Sequence, residues 1–304
     1  MNTIDAYMKK RARFFATYKK SFQAMPDKDF EKLIDMANDK SSQAFDMKSI
    51  SLDIPAVKKN HGSMEVIYLG EDRGGDQDLI FYLHGGGYIS GPIPDYFKAL
   101  EYLIKRLGVR AILPIYPKAS LYTYKDAYRE IFSFYKDLLT EGLSSDKIHL
   151  MGDSAGGGLA LGFAMYLRDQ GFDQPKHTIM YSPWLDLNTD NPDIKDYEDL
   201  DPMLAPWGSR KIGRLWAGSD EDMKNPYASP IFGDFEGLGR LSIFVGTKEI
   251  FYPDCLKFHK VLEEKNIDHD FEVGQGLPHI YPIFPAVEGY EALDKVCQII
   301  KDEA

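Results

Sequence analysis

The 304 residues carry a formal charge of −11, which sets aside a general nucleic-acid binder. No run of about 18 apolar residues offers a membrane-spanning helix, and two cysteines, Cys255 and Cys297, set aside a disulfide framework and a CxxC metal site. At 44% hydrophobic and 27% charged residues, the chain can bury a large core. It reads as one domain with an elaboration rather than two equal domains.

Charge is uneven along the chain. Residues 1–22 hold six basic side chains against Asp5, a net +5, so the remainder carries −16. The basic start has no following apolar stretch of the secretory kind, so a cytoplasmic protein is expected. Residues 1 to about 46 read as helical, with Ile4, Tyr7, Met8, Phe14, Phe15, Tyr18 and Phe22 at roughly helical spacing. Asp27, after Pro26, is placed to cap a second helix carrying Leu33, Ile34 and Met36. A basic amphipathic helix suits an anionic membrane or the body of its own protein. Packing on the body is the expectation, because amphipathic helices usually face their own core.

From residue 49 the pattern turns to strands. Ser49–Val57 and Ser63–Leu69 read as an antiparallel pair at a sheet edge, and 71–78 as a polar turn. Leu79–Leu83 is continuously apolar, as a strand buried on both faces must be. A helix over Asp95–Leu107, a strand over Val109–Ile115 and a helix over Tyr124–Leu139 follow. A strand, a glycine turn and a helix then span Lys147–Leu161, with a further strand at Thr178–Tyr181. This alternation predicts a mostly parallel sheet with helices on both faces. Residues 182–229 interrupt it with an acidic run (Asp186, Asp190, Asp193, Asp196, Glu198, Asp199, Asp201) and a helix near Pro206–Trp216. The run lacks calcium-loop spacing and reads as solvated surface, while an insert of this length suggests a lid or binding loop. The rhythm resumes with a strand at Leu241–Val245, a helix at Pro253–Lys265, a strand at Asp270–Val273 and a helix at Tyr290–Lys301.

The chemistry centres on Gly152-Asp153-Ser154-Ala155-Gly156, which fits the G-x-S-x-G nucleophile elbow. A serine hydroxyl is a weak nucleophile and needs a base, an orienting acid and donors for an oxyanion. A phosphate loop would need a lysine after the glycines, and none is there. Of the seven histidines, His279 alone sits in a late loop after a strand, in QGLPHIYP. His149, His177, His61, His259, His269 and His84 fall in or beside other elements, with His269 read as exposed and His84 as support for the glycine loop that follows it. Glu249, at the end of LSIFVGT, precedes His279 by one helix and one strand and is the preferred acid. Asp254 competes, but the helix dipole alone accounts for a carboxylate in a first helical turn. Oxyanion donors are expected from the backbone of Ala155 and of Gly85, Gly86 and Gly87, the glycines directly after the buried strand. Tyr88, Trp184, Met203, Leu204, Trp207, Ile280 and Tyr281 are candidates to line a substrate pocket, with simple core or cap packing as the equal alternative.

HGGGY at 84–88 with GDSAGG at 152–157 resembles the hormone-sensitive-lipase-like branch of the α/β-hydrolases. The resemblance runs from about Ile80 to His279 and includes YPKA at 116–119, SPWLDL at 182–187, DPML at 201–204 and GTKEIFYPD at 246–254. It implies an α/β-hydrolase fold with a helical cap, formed by residues 1–46 and an insertion at about 185–225, over a catalytic domain spanning 47–304. It also implies a serine carboxylesterase or lipase without a cofactor, acting on a small-molecule ester, and no metal site is expected. Glu249 departs from the aspartate many members carry, and Tyr-Pro-Lys at 116–118 departs from their Tyr-Arg-Leu. A peptidase or amidase on the same fold, or a binding protein with a vestigial triad, are the alternatives. No nucleic-acid partner and no stable membrane insertion are expected, and a homodimer is left open.

Overall fold

The computed structural model describes residues 3–74 and 76–301. Met1, Asn2, Gly75 and residues 302–304, which the expectations above include, lie outside the described residues. Three helices open the chain: α1 (Thr3–Lys10), α2 (Ala12–Phe22) and α3 (Asp27–Ser41). Then come β1 (Ala56–His61), β2 (Met64–Leu69), β3 (Leu79–Leu83), α4 (Pro94–Leu107), β4 (Arg110–Ile115), α5 (Tyr124–Thr140), β5 (Ile148–Asp153), α6 (Ala155–Asp169) and β6 (His177–Tyr181). After the insert, which carries α7 (Pro206–Ala217), follow β7 (Arg240–Lys248), α8 (Tyr252–Glu264), β8 (His269–Pro278) and α9 (Val287–Lys301).

The strands form one sheet in the order β1-β2-β4-β3-β5-β6-β7-β8. Pairing is antiparallel from β1 to β2 and from β2 to β4, and parallel from β4 onward. The expected edge hairpin is present, but its first strand begins at Ala56 rather than Ser49, because Met47–Ser49 folds as a short 3₁₀ turn capped by Asp46. On β3, side chains alternate between faces. Phe81 meets Phe134 and Tyr135 of α5, while Tyr82 meets Tyr96 of α4, so these two helices flank opposite faces. Both faces being covered explains why all five residues of β3 are buried. Helix ends follow their signals. Pro94 and Pro206 start α4 and α7, Gly108 and Gly218 end them in the left-handed region, and Thr123 with Asp126 forms a capping box on α5.

The N-terminal helices pack on the body, as their amphipathic pattern requires. Thr3 bonds Glu288, Tyr7 donates to Asp95 at 2.7 Å, and Arg11 pairs with Asp95 at 2.9 Å. The region breaks at Arg11 and again at 23–26 into three helices. The Cα of Phe22 at the end of α2 lies 2.4 Å from where a Cβ on Gly208 of α7 would be, so only glycine there allows the two helices this contact. Lys19 donates to the carbonyls of Glu198 (2.9 Å) and Asp201 (2.5 Å), joining α2 to the insert. Among the described residues no helix is long and apolar enough to cross a membrane. The acidic insert is not uniformly solvated: Asp186 and Asp201 are buried.

Candidate active site

The parallel strands β3 to β8 direct their carboxyl ends to one sheet edge, and the sequence-predicted residues meet there. Asp153 ends β5, Ala155 begins α6, and Ser154 between them holds φ 53°, ψ −123°. Such a backbone conformation costs on the order of 1–3 kcal/mol in a residue with a side chain. Hydrogen bonds on both sides maintain it: Ser154 N–H donates to Tyr181 O (2.8 Å), and Trp184 N–H donates to Ser154 O (2.9 Å). The flanking glycines are sterically required. A Cβ on Gly152 would fall 2.3 Å from Gly156 O, and one on Gly156 would fall 2.0 Å from Leu83 O.

Ser154 Oγ lies 2.8 Å from His279 Nε2, and His279 Nδ1 lies 2.6 Å from Glu249 Oε2. All three side chains are buried. A carboxylate only accepts, so Nδ1 carries the proton and Nε2 presents its lone pair to the serine hydroxyl. Burial alone would lower the His279 pKa. The charge of Glu249, its hydrogen bond, and the charges of Asp201 and Asp153 outweigh burial and raise it. The other Glu249 oxygen accepts from Gly246 N–H (2.8 Å) and Ser182 Oγ (2.7 Å). That same Ser182 Oγ accepts from Ile280 N–H at 2.9 Å. One hydroxyl therefore joins the acid to the residue that follows the base. Asp254 is in the first turn of α8 and bonds Asn191 at 2.8 Å, and burial raises its carboxyl to about 6.

The remaining histidines are engaged elsewhere. His61 pairs with Asp137, His149 with Asp78, and His177 with Ser242. His259 and His269 bond each other at 2.7 Å, so His269 is half-buried rather than exposed. His84 supports the glycine loop through a 2.6 Å bond from Nδ1 to Gly85 O.

The glycine loop divides its labour. Gly85 N–H donates to Asp153 Oδ1 at 2.8 Å. The expectation that Gly85 supplies an oxyanion donor is therefore corrected, because a carboxylate already holds its proton. Tyr82 donates to the same oxygen at 2.9 Å. Burial raises the Asp153 carboxyl to about 6, against the opposing pull of those two donors. Among the described residues, the N–H groups of Gly86 and Gly87 meet no protein acceptor. Ala155 is the first residue of α6, where no intrahelical acceptor exists for its N–H.

The expected pocket residues meet different partners. Tyr88 stacks on Trp216 at 4.1 Å and Trp184 stacks on Phe251 at 5.6 Å. Phe251 in turn stands edge-on to His279 at 5.3 Å. Met203 and Leu204 donate their N–H groups to Asp201 Oδ1 (2.7 and 2.8 Å), and Ile280 holds φ 53° beside the base. Trp207 lies on α7, edge-on to Phe30 of α3 at 5.6 Å. Tyr281 packs against Gly274 of β8, which is core packing. Sequence reasoning missed Ser182, Asp201, Phe251, Tyr18 and Phe22. Asp201 Oδ2 accepts from Ile250 N–H at 3.0 Å, next to Glu249, which explains its burial and ties the insert to the acid loop. The Phe22 ring stands 3.4 Å from where a Cβ on Gly87 would be. Tyr18 packs on that Phe22 ring at 5.2 Å, and burial, then the charges of Asp153 and Asp201, push its hydroxyl pKa up.

Comparison with known proteins gives a consistent picture. The profile of the alpha/beta hydrolase fold family matches residues 80–283. An esterase of Acinetobacter venetianus is 29% identical over 208 residues, 68% of this chain and 69% of the relative. An acetyl-hydrolase of Streptomyces hygroscopicus is 29% identical over 225 residues, 72% and 74% of the two chains. The crystal structure of EstE5-PMSF superposes with a TM-score of 0.83 at 26% identity, covering 100% of this chain and 99% of that one.

Proposed function

Because the chain belongs to the α/β-hydrolase fold family, we propose that it is a serine carboxylesterase hydrolysing short- to medium-chain acyl esters. The observation that carries this reading is the unbroken chain from Ser154 Oγ through His279 to Glu249, at 2.8 and 2.6 Å. His279 takes the Ser154 proton as Oγ attacks the ester carbonyl, then returns it to the leaving alcohol. Glu249 keeps the imidazole in the required tautomer and stabilises its cation. The N–H groups of Gly86, Gly87 and Ala155 hold the oxyanion, aided by the positive end of α6. Water, activated by the same histidine, releases the acyl group from Ser154.

The relatives named esterase and acetyl-hydrolase support ester cleavage. The short- to medium-chain preference rests on the aromatic roof, where Phe22 comes down towards Gly87 and Tyr18 packs on Phe22 at 5.2 Å. In this reading residues 1–46 and the insert at about 185–225 form a cap over a catalytic domain spanning 47–304, supported by the close contact of Phe22 with Gly208. The buried free thiols of Cys255 and Cys297 suit a reducing cytoplasm. The unpaired outer edge of β8 suits a homodimer, which sedimentation measures directly.

A series of p-nitrophenyl esters from acetate to laurate, assayed beside matched anilides, tests the function. The expected profile peaks at or below octanoate, with anilide turnover far weaker. Faster anilide cleavage would make the protein an amidase, and no turnover of either would make it a binding protein.

A further inference from the structure

Lys118 follows β4 in Tyr116-Pro117-Lys118 and is buried. A buried ammonium needs a counter-charge, yet among the described residues Lys118 forms no ion pair. Its Nζ instead lies 3.0 Å from His84 Nε2, 2.5 Å from Tyr116 O, and 3.8 Å from the centre of the Tyr116 ring. A neutral amine has two N–H donors, and these two acceptors use both. Burial lowers the Lys118 pKa well below that of an ordinary lysine, which fits the neutral form.

The histidine beside it has only one consistent tautomer. His84 Nδ1 faces Gly85 O at 2.6 Å, and a carbonyl only accepts, so Nδ1 carries the proton. Nε2 then presents a lone pair, which accepts from Lys118. Burial lowers the His84 pKa well below its ordinary value, so the ring is neutral. Tyr116 stacks on this ring at 4.6 Å and donates its hydroxyl to His84 O at 2.7 Å.

Two consecutive peptide units are held by these contacts. The unit joining His84 to Gly85 is gripped at its oxygen by Tyr116 and at its N–H by Asp153. The unit joining Gly85 to Gly86 is gripped at its oxygen by the His84 ring. A trans peptide is planar, so fixing the direction of Gly85 C=O fixes Gly86 N–H in the opposite direction.

We propose that Lys118 is a positioning residue for the oxyanion hole, holding His84 in the Nδ1–H tautomer whose bond to Gly85 O aims the Gly86 N–H. This rests on the esterase reading for the use of that N–H, but the lysine–histidine relay stands on geometry alone. The sequence motif hid it, since the position is aliphatic in Tyr-Arg-Leu and a lysine there reads as surface.

Two measurements test the relay. In the wild-type protein, nitrogen-15 NMR of His84 should show a neutral ring protonated at Nδ1, with Nε2 bare. A ring protonated at Nε2 would overturn the proposal, because Lys118 would have no acceptor. In Lys118→Met, kcat for p-nitrophenyl butyrate should fall roughly 10- to 100-fold, somewhat less than deletion of an oxyanion donor. KM should stay within about two-fold, and the Ki of a trifluoromethyl ketone that forms a tetrahedral adduct should rise by the same factor as kcat falls. A folded Lys118→Met protein with unchanged kcat and Ki would overturn it. Should Lys118→Met not fold, the wild-type tautomer decides. A wild-type protein without ester turnover would refute the esterase reading, and the NMR result would still decide the relay.

Discussion

Beneath Ser154 the chain is tied by short hydrogen bonds between buried polar groups. Above it the ties are mostly aromatic contacts and ion pairs at helix surfaces, with Lys19 adding hydrogen bonds to the carbonyls of Glu198 and Asp201. In the floor, Glu249, Ser182, Ile280 and His279 form one network with spacings of 2.6–2.9 Å. In the roof, Phe30 meets Trp207 at 5.6 Å, and Lys211 reaches Asp27 at 2.9 Å from a half-exposed position. Buried hydrogen bonds are directional and costly to leave unmade, so they fix angles. Ring packing tolerates sliding, and exposed ion pairs contribute about 0–1 kcal/mol. We infer from this difference that chemistry resides in the rigid layer and substrate selection in the adaptable one.

Substitutions in the floor should therefore cost rate, and those in the roof should change selectivity. The largest effect belongs to Ser154→Ala, which should lower ester turnover by roughly 10⁴-fold or more. Next, Glu249→Gln should cost about 10³-fold or more in kcat, whereas Asp254→Asn should cost under about 5-fold. Steady-state kinetics on one ester ranks them, and the reverse ranking would move the acid to Asp254.

The pH profile sharpens the floor further. The reactive form needs neutral His279, and Glu249 raises its pKa despite burial. Wild-type kcat/KM should thus fall as pH drops through a value above the ordinary histidine pKa of about 6.5. In Glu249→Gln the main raising charge is gone while burial remains, so the acid limb should move to lower pH. A flat wild-type profile from pH 5 to 8 would remove His279 as the base.

Ser182→Ala should be milder, about 10-fold in kcat with a stability loss of about 1–3 kcal/mol, since Ile280 N–H and one Glu249 oxygen lose a partner. The smallest effect on rate is expected in the roof. Phe22→Ala should change kcat for acetate esters under about 5-fold while shifting the best acyl chain to longer esters. An unchanged chain-length profile would mean that the roof does not select substrate.

Legibility in the sequence follows the same division. LIFYL, GDSAGG and HGGG are local patterns whose residue types are dictated by burial on two faces or by backbone contact, such as Gly156 against Leu83 O. Glu249 and His279 were legible because parallel strands bring successive loops to one edge. Ser182 and Asp201 were not. A serine in SPW and an aspartate in an acidic run have no local mark of burial, and their roles come from contacts with Glu249, Ile280 and Ile250 across 49 to 98 residues. Gly85 was overassigned because a motif names glycines without saying which N–H is already bonded. Phe22 carried a helical period that fits any packed face, so its approach to Gly87 depended on where α2 docks.

The central claim is that Ser154 is the nucleophile, activated through His279. Labelling with a fluorophosphonate, followed by intact mass and peptide mapping, tests it most directly. One adduct is predicted, on the peptide containing Ser154, absent in Ser154→Ala and strongly slowed in His279→Ala. A wild-type protein left unlabelled, or an adduct that survives in Ser154→Ala, would contradict it.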